Sequence, residues 1–143
     1  MPVYISNAIL KKIKQHAEGI YPNECCGFLL GRQNGNGKDV ADILPVDNES
    51  EGGEQYHRFV ITPQTYLKGD RQASRRQLDI LGFYHSHPDE EARPSQYDLD
   101  HAWPWYSYII ASVINKVTNT VTSWVLKEDR SEFLKEDIVL DGK

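Results

Sequence analysis

Residues 80–98 read ILGFYHSHPDEEARPSQYD, and they predict a central strand together with the candidate site at its end. The apolar run 80–84 predicts a buried strand, and Pro88 ends its pairing because proline has no N–H to donate. Side chains alternate along a strand, so His85 and His87 should point to the same side of the sheet. Asp98 comes 11 residues after His87 and brings a carboxylate back over the strand end. The stretch therefore predicts three convergent metal ligands.

Three protein ligands leave one coordination position open, which is typical of catalytic rather than structural zinc. The open position lets the metal acidify a water and polarise a carbonyl group. Ser95 lies one helical turn before Asp98, so its hydroxyl can donate a hydrogen bond to an oxyanion there. The same pair matches a capping box, in which Ser95 accepts from backbone N–H groups at a helix start. Both interpretations of Ser95 stay open.

The flanking segments predict a layered α/β architecture. Apolar positions Ile9, Ile13, Ala17 and Ile20 recur at helical spacing, with Ser6 as a cap and Tyr21-Pro22 as a stop. Gly35 and Gly37 mark a hairpin turn. A mobile loop is expected at 48–54, a helix weakened by Gly69 at 63–77, and a short helical segment from Pro94-Ser95 to Ala102. Strands are expected at 25–30, 40–46, 59–61, 106–113, 120–126 and 133–140, which gives two helices interleaved with six or seven strands.

The composition fits one globular domain over residues 1–143, with 39% hydrophobic and 26% charged residues. A formal charge of −5 disfavours nucleic acid as a partner. The two cysteines, Cys25 and Cys26, are adjacent, so they form no disulfide framework and favour a reducing cytoplasm. We see no signal peptide and no apolar run near the ~20 residues of a membrane span, so we expect a cytoplasmic protein without a membrane partner.

The string from His85-Ser86-His87-Pro88 to Ser95-Gln96-Tyr97-Asp98 resembles the motif of the JAMM (MPN+) zinc metalloproteases. A glutamate far upstream, before an apolar strand, completes that motif, and residues 24–31, ECCGFLLG, match it here. The resemblance covers most of the chain. It implies an α/β fold similar to cytidine deaminases, a JAMM/MPN domain with a central mixed β-sheet flanked by helices.

The resemblance also implies a role for each motif residue. His85, His87 and Asp98 would bind one zinc ion per chain, and Ser95 would stabilise the tetrahedral intermediate. Glu24 would be the general acid/base. The residues alone do not single out Glu24 among 21 acidic side chains. They indicate only that a carboxylate beside an apolar strand is partly buried, which raises its pKa.

JAMM enzymes cut after the C-terminal glycine of ubiquitin-like proteins. Only seven residues separate Asp98 from Tyr106, so there is no room for the clamp that polyubiquitin-cleaving relatives insert there. The chain looks like the stand-alone prokaryotic, Mec-type subgroup, whose partners are ubiquitin-like or sulfur-carrier proteins with a Gly-Gly tail. We expect release of an amino acid or short peptide. An isopeptidase acting on lysine side chains and a non-catalytic MPN scaffold are the alternatives.

Other features have two interpretations each. Aromatic residues after the motif either line a groove for the Gly-Gly tail or belong to the core. Cys25 and Cys26 either approach the metal or pack as small hydrophobes. His101 is either a partner of the site or a surface residue. The oligomeric state, including a homodimer, stays open. The aromatic residues that follow the motif and could line the groove are Trp103, Trp105, Tyr106 and Tyr108.

A base deaminase is disfavoured because the chain lacks a Pro-Cys-x-x-Cys element.

Overall fold

The computed structural model describes residues 1–49 and 60–140. In these residues there are eight strands and three helices. The strands are β1 (Val3–Ile5), β2 (Cys26–Asn34), β3 (Gly37–Val46), β4 (Asp79–Pro88), β5 (Ser107–Ile114), β6 (Val117–Leu126), β7 (Phe133–Glu136) and β8 (Ile138–Leu140). The helices are α1 (Asn7–Ile20), α2 (Pro63–Arg75) and α3 (Gln96–His101).

The eight strands form one mixed sheet in the order β7-β6-β5-β4-β2-β3-β1-β8. Three strand pairs are parallel, β4 with β5 and β1 with both β3 and β8.

The first helix begins and ends as predicted. The Ser6 side chain accepts a hydrogen bond from the Ile9 N–H at 3.1 Å, and α1 ends at Ile20, just before Tyr21. Its buried residues, Ile13 and Ala17, pack in the core on one face of the sheet. Among the described residues, no helix is long and apolar enough to cross a membrane.

The second helix lies on the opposite face. Alternation along β2 directs Leu29 into the core under α1, while Phe28 and Leu30 pack with Ala73 of α2. Gly69 was expected only to weaken this helix. A Cβ at Gly69 would lie 2.6 Å from the Phe28 ring, so this glycine lets α2 approach the sheet closely.

The central strand β4 is longer than the predicted 80–84 and includes both histidines. His85 is opposite Cys26 of β2 on one side and Ile110 of β5 on the other, and His87 is opposite Ser112. Pairing ends at Pro88, opposite Val113, as the proline predicted. The two histidines are therefore held within the hydrogen-bonded sheet.

The prediction of one strand over 133–140 is wrong. The segment forms two strands, β7 and β8, which are separated in the sequence by the single residue Asp137. The two strands lie at opposite edges of the sheet. The Val3 N–H donates to the Asp137 carbonyl at 2.8 Å, so the two edges converge at this residue. The sheet therefore curls strongly. The three-residue strand β1 was not predicted, because a segment this short carries little periodicity.

The predicted strand at 59–61 needs a second correction. Phe59 lies outside the described residues, and Val60 and Ile61 belong to no strand. The Val60 N–H donates to Asn48 Oδ1 at 3.1 Å, and the Val60 carbonyl accepts from the Glu49 N–H at 3.1 Å. The backbone groups of Val60 are thus bonded to Asn48 and Glu49 instead of to a neighbouring strand. The predicted mobile loop at 48–54 lies outside the described residues except for Asn48 and Glu49.

Candidate metal centre

Three side-chain atoms form a nearly equilateral triangle at the end of β4. His85 Nε2 and His87 Nε2 lie 3.2 Å apart, and each lies 3.2 Å from Asp98 Oδ2. Strand alternation brings the two imidazoles to one side, as predicted, and the first turn of α3 supplies the carboxylate. All three residues are buried, with 8% exposure or less.

This triangle fits a zinc ion. Nitrogen and oxygen ligands about 2.0–2.1 Å from zinc at tetrahedral angles are about 3.3 Å from one another. The observed 3.2 Å separations match this spacing without any movement of the side chains. Two imidazoles and one carboxylate are also a donor set that zinc accepts in catalytic sites.

Burial and mutual attraction shift the pKa values of the three side chains in the triangle. Burial alone would raise the pKa of Asp98, but His85 and His87 hold it well below its usual range. Burial lowers the pKa of His85. Burial also opposes charge on His87, yet hydrogen bonding and attraction to Asp98 raise the pKa of His87 above its ordinary value. The carboxylate is therefore ionised and ready to bind a cation.

Glu24 lies beside the triangle, in the residues that lead into β2. One of its carboxylate oxygens and one ring nitrogen of each histidine all lie within 4.8 Å of one another. Its exposure is 4%, and burial raises its pKa to about 8, although His87 acts in the opposite direction. The Asn48 side-chain amide donates to the Glu24 carbonyl at 3.1 Å. The Asn48 bond holds the Glu24 backbone, and the buried carboxyl group lies beside the two imidazoles.

Ser95 caps α3, as one of its two interpretations predicted. Its Oγ accepts from the Asp98 N–H at 3.1 Å, and the Ser95 N–H donates to Asp98 Oδ2 at 2.9 Å. The second bond orients the same carboxylate oxygen that faces the histidines. Because Ser95 Oγ accepts in this pair, its own O–H proton stays free for another acceptor.

Two contacts around the site were not predicted. His87 Nδ1 lies 2.9 Å from the Glu91 carbonyl oxygen, which can only accept, so Nδ1 carries the proton and Nε2 faces the triangle. Ser86, between the histidines, points to the other side of the sheet and accepts from the Cys25 N–H at 2.8 Å. Strand alternation predicts that Ser86 faces away from the histidines. Nothing in the sequence identifies the Glu91 carbonyl as the partner of His87 or the Cys25 N–H as the partner of Ser86.

A cleft of about 730 Å³ lies between α2 and the segment after α3, and Asp98 is one of its lining residues. Its walls are largely apolar. The predicted aromatic cluster divides: three members line the cleft, whereas the Trp105 ring covers the buried Lys38 ammonium group at 4.3 Å. Tyr108 belongs to both the wall and the core, since it is 7% exposed. Lining residues are Pro63, Tyr66, Leu67, Trp103, Tyr106 and Tyr108.

The remaining candidates, His101, Cys25 and Cys26, are not members of the triangle. His101 lines the cleft, where its ring stacks on Tyr97 at 4.1 Å and its Nδ1 lies 2.8 Å from the Tyr97 carbonyl oxygen. Cys25 and Cys26 are buried, and burial raises the pKa of both thiols. Such cysteines behave as small hydrophobes rather than as thiolate ligands.

Comparison with protein families gives one match over most of the chain. Residues 6–127 match the model for prokaryotic homologues of the JAB domain. A protein of Haloferax volcanii named desampylase is 31% identical over 78% of this chain and 78% of its own length. A Thermus thermophilus protein named as a probable TtuB-protein conjugate cleaving protease is 27% identical over 76% of this chain and 68% of its own length.

Solved structures agree on the fold. The solution structure of protein DSY2949 from Desulfitobacterium hafniense superposes with a TM-score of 0.86 at 28% identity, covering 100% of this chain and 94% of that chain. AF2198, a JAB1/MPN domain protein from Archaeoglobus fulgidus, gives a TM-score of 0.56 at 20% identity over 97% of this chain and 99% of its own. The predicted fold, a JAMM/MPN domain with a central mixed sheet and flanking helices, is confirmed.

Proposed function

This chain belongs to the family of prokaryotic homologues of the JAB domain and is a stand-alone JAMM/MPN hydrolase, and we propose the reaction that it catalyses. We propose that it is a zinc-dependent metallopeptidase that hydrolyses the amide bond after the C-terminal glycine of a ubiquitin-like or sulfur-carrier protein. The leaving group is an amino acid or a short peptide. The relatives named desampylase and TtuB-conjugate cleaving protease support this class of substrate.

The observation that carries the proposal is the 3.2 Å triangle with a buried carboxyl group beside it. We assign the ligand role to Asp98 and not to Glu24, because Asp98 Oδ2 is equidistant from both imidazole nitrogens. His85, His87 and Asp98 would hold the zinc ion, which would supply acidification of a water and polarisation of the scissile carbonyl.

Glu24 is proposed as the general acid/base. A group that takes a proton from the attacking water and later gives it to the leaving amine works best with a pKa near the working pH. Burial places the pKa of Glu24 at about 8, far above that of an exposed glutamate. Its position within 4.8 Å of the histidine nitrogens brings it within reach of both the water and the amine.

Ser95 is proposed to donate a hydrogen bond from its hydroxyl group to the oxygen that becomes negative during attack. The capping interaction supports this role because it fixes the serine at the start of α3, one turn from Asp98. A fixed donor stabilises developing charge without reorganisation at the moment of reaction. Capping and catalysis are therefore compatible in one residue.

The cleft is proposed as the site for the Gly-Gly tail. Asp98 is one of its lining residues, so a chain lying in the cleft would pass beside one of the proposed metal ligands. Aromatic walls at Tyr66 and Tyr106, whose hydroxyls lie 2.9 Å apart, suit an extended segment without side chains. The walls would bind the glycine backbone closely and exclude bulkier residues.

An isopeptidase that releases a lysine side chain is the second candidate. The Thermus relative favours it, because its name specifies protein conjugates. Both reactions use the same triangle, the same acid/base and the same tail. They differ only in the amine that leaves.

Metal content and turnover test the proposal together. Wild-type protein purified without chelators should hold about one zinc ion per chain by mass spectrometry, and Asp98→Ala should lose it. Asp100→Ala, on the same helix and exposed, is the control and should keep its zinc. Glu24→Gln should keep zinc but lose at least about 100-fold in turnover.

A linear fusion and a lysine-linked conjugate of one carrier protein, supplied side by side, decide between the two leaving groups. Wild-type protein that folds but binds no added zinc would overturn the enzyme proposal. Full turnover by Glu24→Gln would remove Glu24 from the reaction.

A further inference from the structure

The loop between β4 and α3 connects two of the proposed ligands, His87 and Asp98. Three successive carbonyl oxygens of this loop, those of Glu90, Glu91 and Ala92, each accept a hydrogen bond from a side chain of the sheet. The Glu91 carbonyl accepts from His87 Nδ1 and so determines which nitrogen of that ring faces the metal position. The placement of this loop therefore affects the proposed metal site directly.

Two residues of β6 hold the Ala92 carbonyl. Thr122 Oγ1 lies 2.6 Å from this oxygen, and Trp124 Nε1 lies 3.3 Å from it. Trp124 Nε1 also lies 2.8 Å from Thr122 Oγ1. An indole N–H can only donate, so the bonds run from Trp124 to Thr122 and from the Thr122 hydroxyl to Ala92. Thr122 is the central member of this chain of donors.

Ser112 completes the arrangement from β5. Its hydroxyl donates to the Glu90 carbonyl, and the residue is 1% exposed. Ser112 is also directly opposite His87 in the parallel pairing of β4 and β5. The carbonyl groups on both sides of Glu91 are thus fixed by the sheet, and the Glu91 carbonyl has little freedom to turn away from His87.

We propose that Thr122 and Trp124 are positioning residues for the metal site. They act through Ala92 and Glu91 to hold the Nδ1–H form of His87. The metal part of this inference rests on the proposed function, whereas the part that concerns the His87 ring does not. A hydrogen bond to the far nitrogen of a metal-binding histidine orients the ring and fixes its tautomer, and its loss typically costs about 10–100-fold in affinity.

The variants isolate the hydroxyl group. Thr122→Val replaces it with a methyl group of similar size, Thr122→Ser restores it, and Trp124→Phe removes the indole donor while keeping an aromatic ring. Thr120→Val is the matched control, because Thr120 lies on the same strand and is exposed. Zinc affinity is measured by competition with a chelator. We expect a loss of about tenfold in Thr122→Val, a smaller loss in Trp124→Phe, and wild-type affinity in Thr122→Ser and Thr120→Val.

A second measurement uses the metal-free protein. Long-range ¹H–¹⁵N spectra at about pH 9, where imidazoles are neutral, report which ring nitrogen carries the proton. Wild-type His87 should show the Nδ1–H form, and Thr122→Val should show a mixture of the two tautomers. If Thr122→Val does not fold, Trp124→Phe gives the same two readouts.

The two measurements separate this inference from the proposed function. Unchanged zinc affinity together with an unchanged His87 tautomer in folded Thr122→Val would overturn the positioning role. A changed tautomer in a protein whose wild type binds no zinc would support the positioning of His87 and refute the metal site.

Discussion

Cys25 and Ser86 are joined by two hydrogen bonds that run in opposite directions. The Cys25 N–H donates to Ser86 Oγ at 2.8 Å, and the Ser86 N–H donates to the Cys25 carbonyl at 3.3 Å. Each residue is a chain neighbour of the site, since Cys25 follows Glu24 and Ser86 separates the two histidines. The pair therefore fixes the proposed acid/base relative to two proposed ligands, from the opposite face of the sheet.

Ser86→Ala should lower both stability and activity. The substitution leaves the buried Cys25 N–H without its acceptor, which costs about 1–3 kcal/mol in the free energy of unfolding. Urea denaturation measures the change. Ser74→Ala, at an exposed position of α2, is the control and should unfold at close to the wild-type midpoint. Equal midpoints for both variants would show that the Ser86 hydroxyl contributes nothing.

The stability of the metal-free protein should depend on the charge state of Glu24. Its pKa is raised from 4.5 to about 8, so between these values the unfolded chain releases a proton that the folded protein keeps. The free energy of unfolding should therefore fall as the pH rises from about 4.5 to about 8. Glu24→Gln removes this contribution and should exceed the wild type by about 2–4 kcal/mol at pH 8, with no difference at pH 4.

Denaturation at several pH values checks the Glu24 prediction. Glu91→Gln, whose carboxylate is exposed, should keep the wild-type pH dependence. Parallel curves for the wild type and Glu24→Gln would contradict the burial argument. A higher stability in the inactive variant would show that the site holds its acid/base at a cost to folding.

Gly69→Ala should destabilise the protein even though alanine favours helices. Helix propensity alone predicts a gain of about 1 kcal/mol. The added Cβ would lie 2.6 Å from the Phe28 ring, however, and pushing α2 off the sheet costs about 1–3 kcal/mol. Gly19→Ala in α1 is the matched control, since a Cβ there meets nothing within 4 Å and should stabilise. Thermal melting should give a lower midpoint for Gly69→Ala and a higher midpoint for Gly19→Ala than for the wild type. Equal shifts of the midpoint in both variants would refute the packing argument.

Leu67→Glu should weaken substrate binding without slowing the chemical step. Leu67 lines the cleft and is 53% exposed, so a charge there disturbs the proposed tail site and leaves the core intact. We expect KM for a carrier-protein substrate to rise about tenfold, equivalent to about 1.4 kcal/mol, with kcat nearly unchanged. Val117→Glu, 65% exposed in the β5–β6 hairpin, should keep the wild-type KM. The same KM in both variants would place the substrate elsewhere.

The sequence predicted the elements that carry strong local signals. Ser6, the apolar spacing of α1 and Pro22 predicted the first helix, and the His-x-His pattern predicted two imidazoles on one side of a strand. Both depend on residues close together in the chain, where side-chain direction follows from backbone geometry. The resemblance to JAMM proteases added Glu24, which no local pattern distinguishes from other acidic residues.

The features that the sequence did not predict depend on contacts between distant segments. Asp137 lies between two strands of opposite sheet edges, and the apolar pattern of 133–140 shows no break there. Thr122 and Trp124 look like ordinary residues of a half-exposed strand, and their bonds to Ala92 span about 30 positions. Tertiary pairing decides such contacts, so local propensity carries no information about them.

The one-residue crossing at Asp137 also leaves the sheet with two short edge strands. The outermost strands, β7 and β8, are only four and three residues long, and they converge where the chain passes between them. A long exposed edge offers unpaired backbone groups to which another molecule can add a strand, and short edges limit such growth. A chain shortened before Asp137 would lose β8 and uncover β1, and it should aggregate from that edge. The last strand therefore covers an edge that would otherwise be open to another chain.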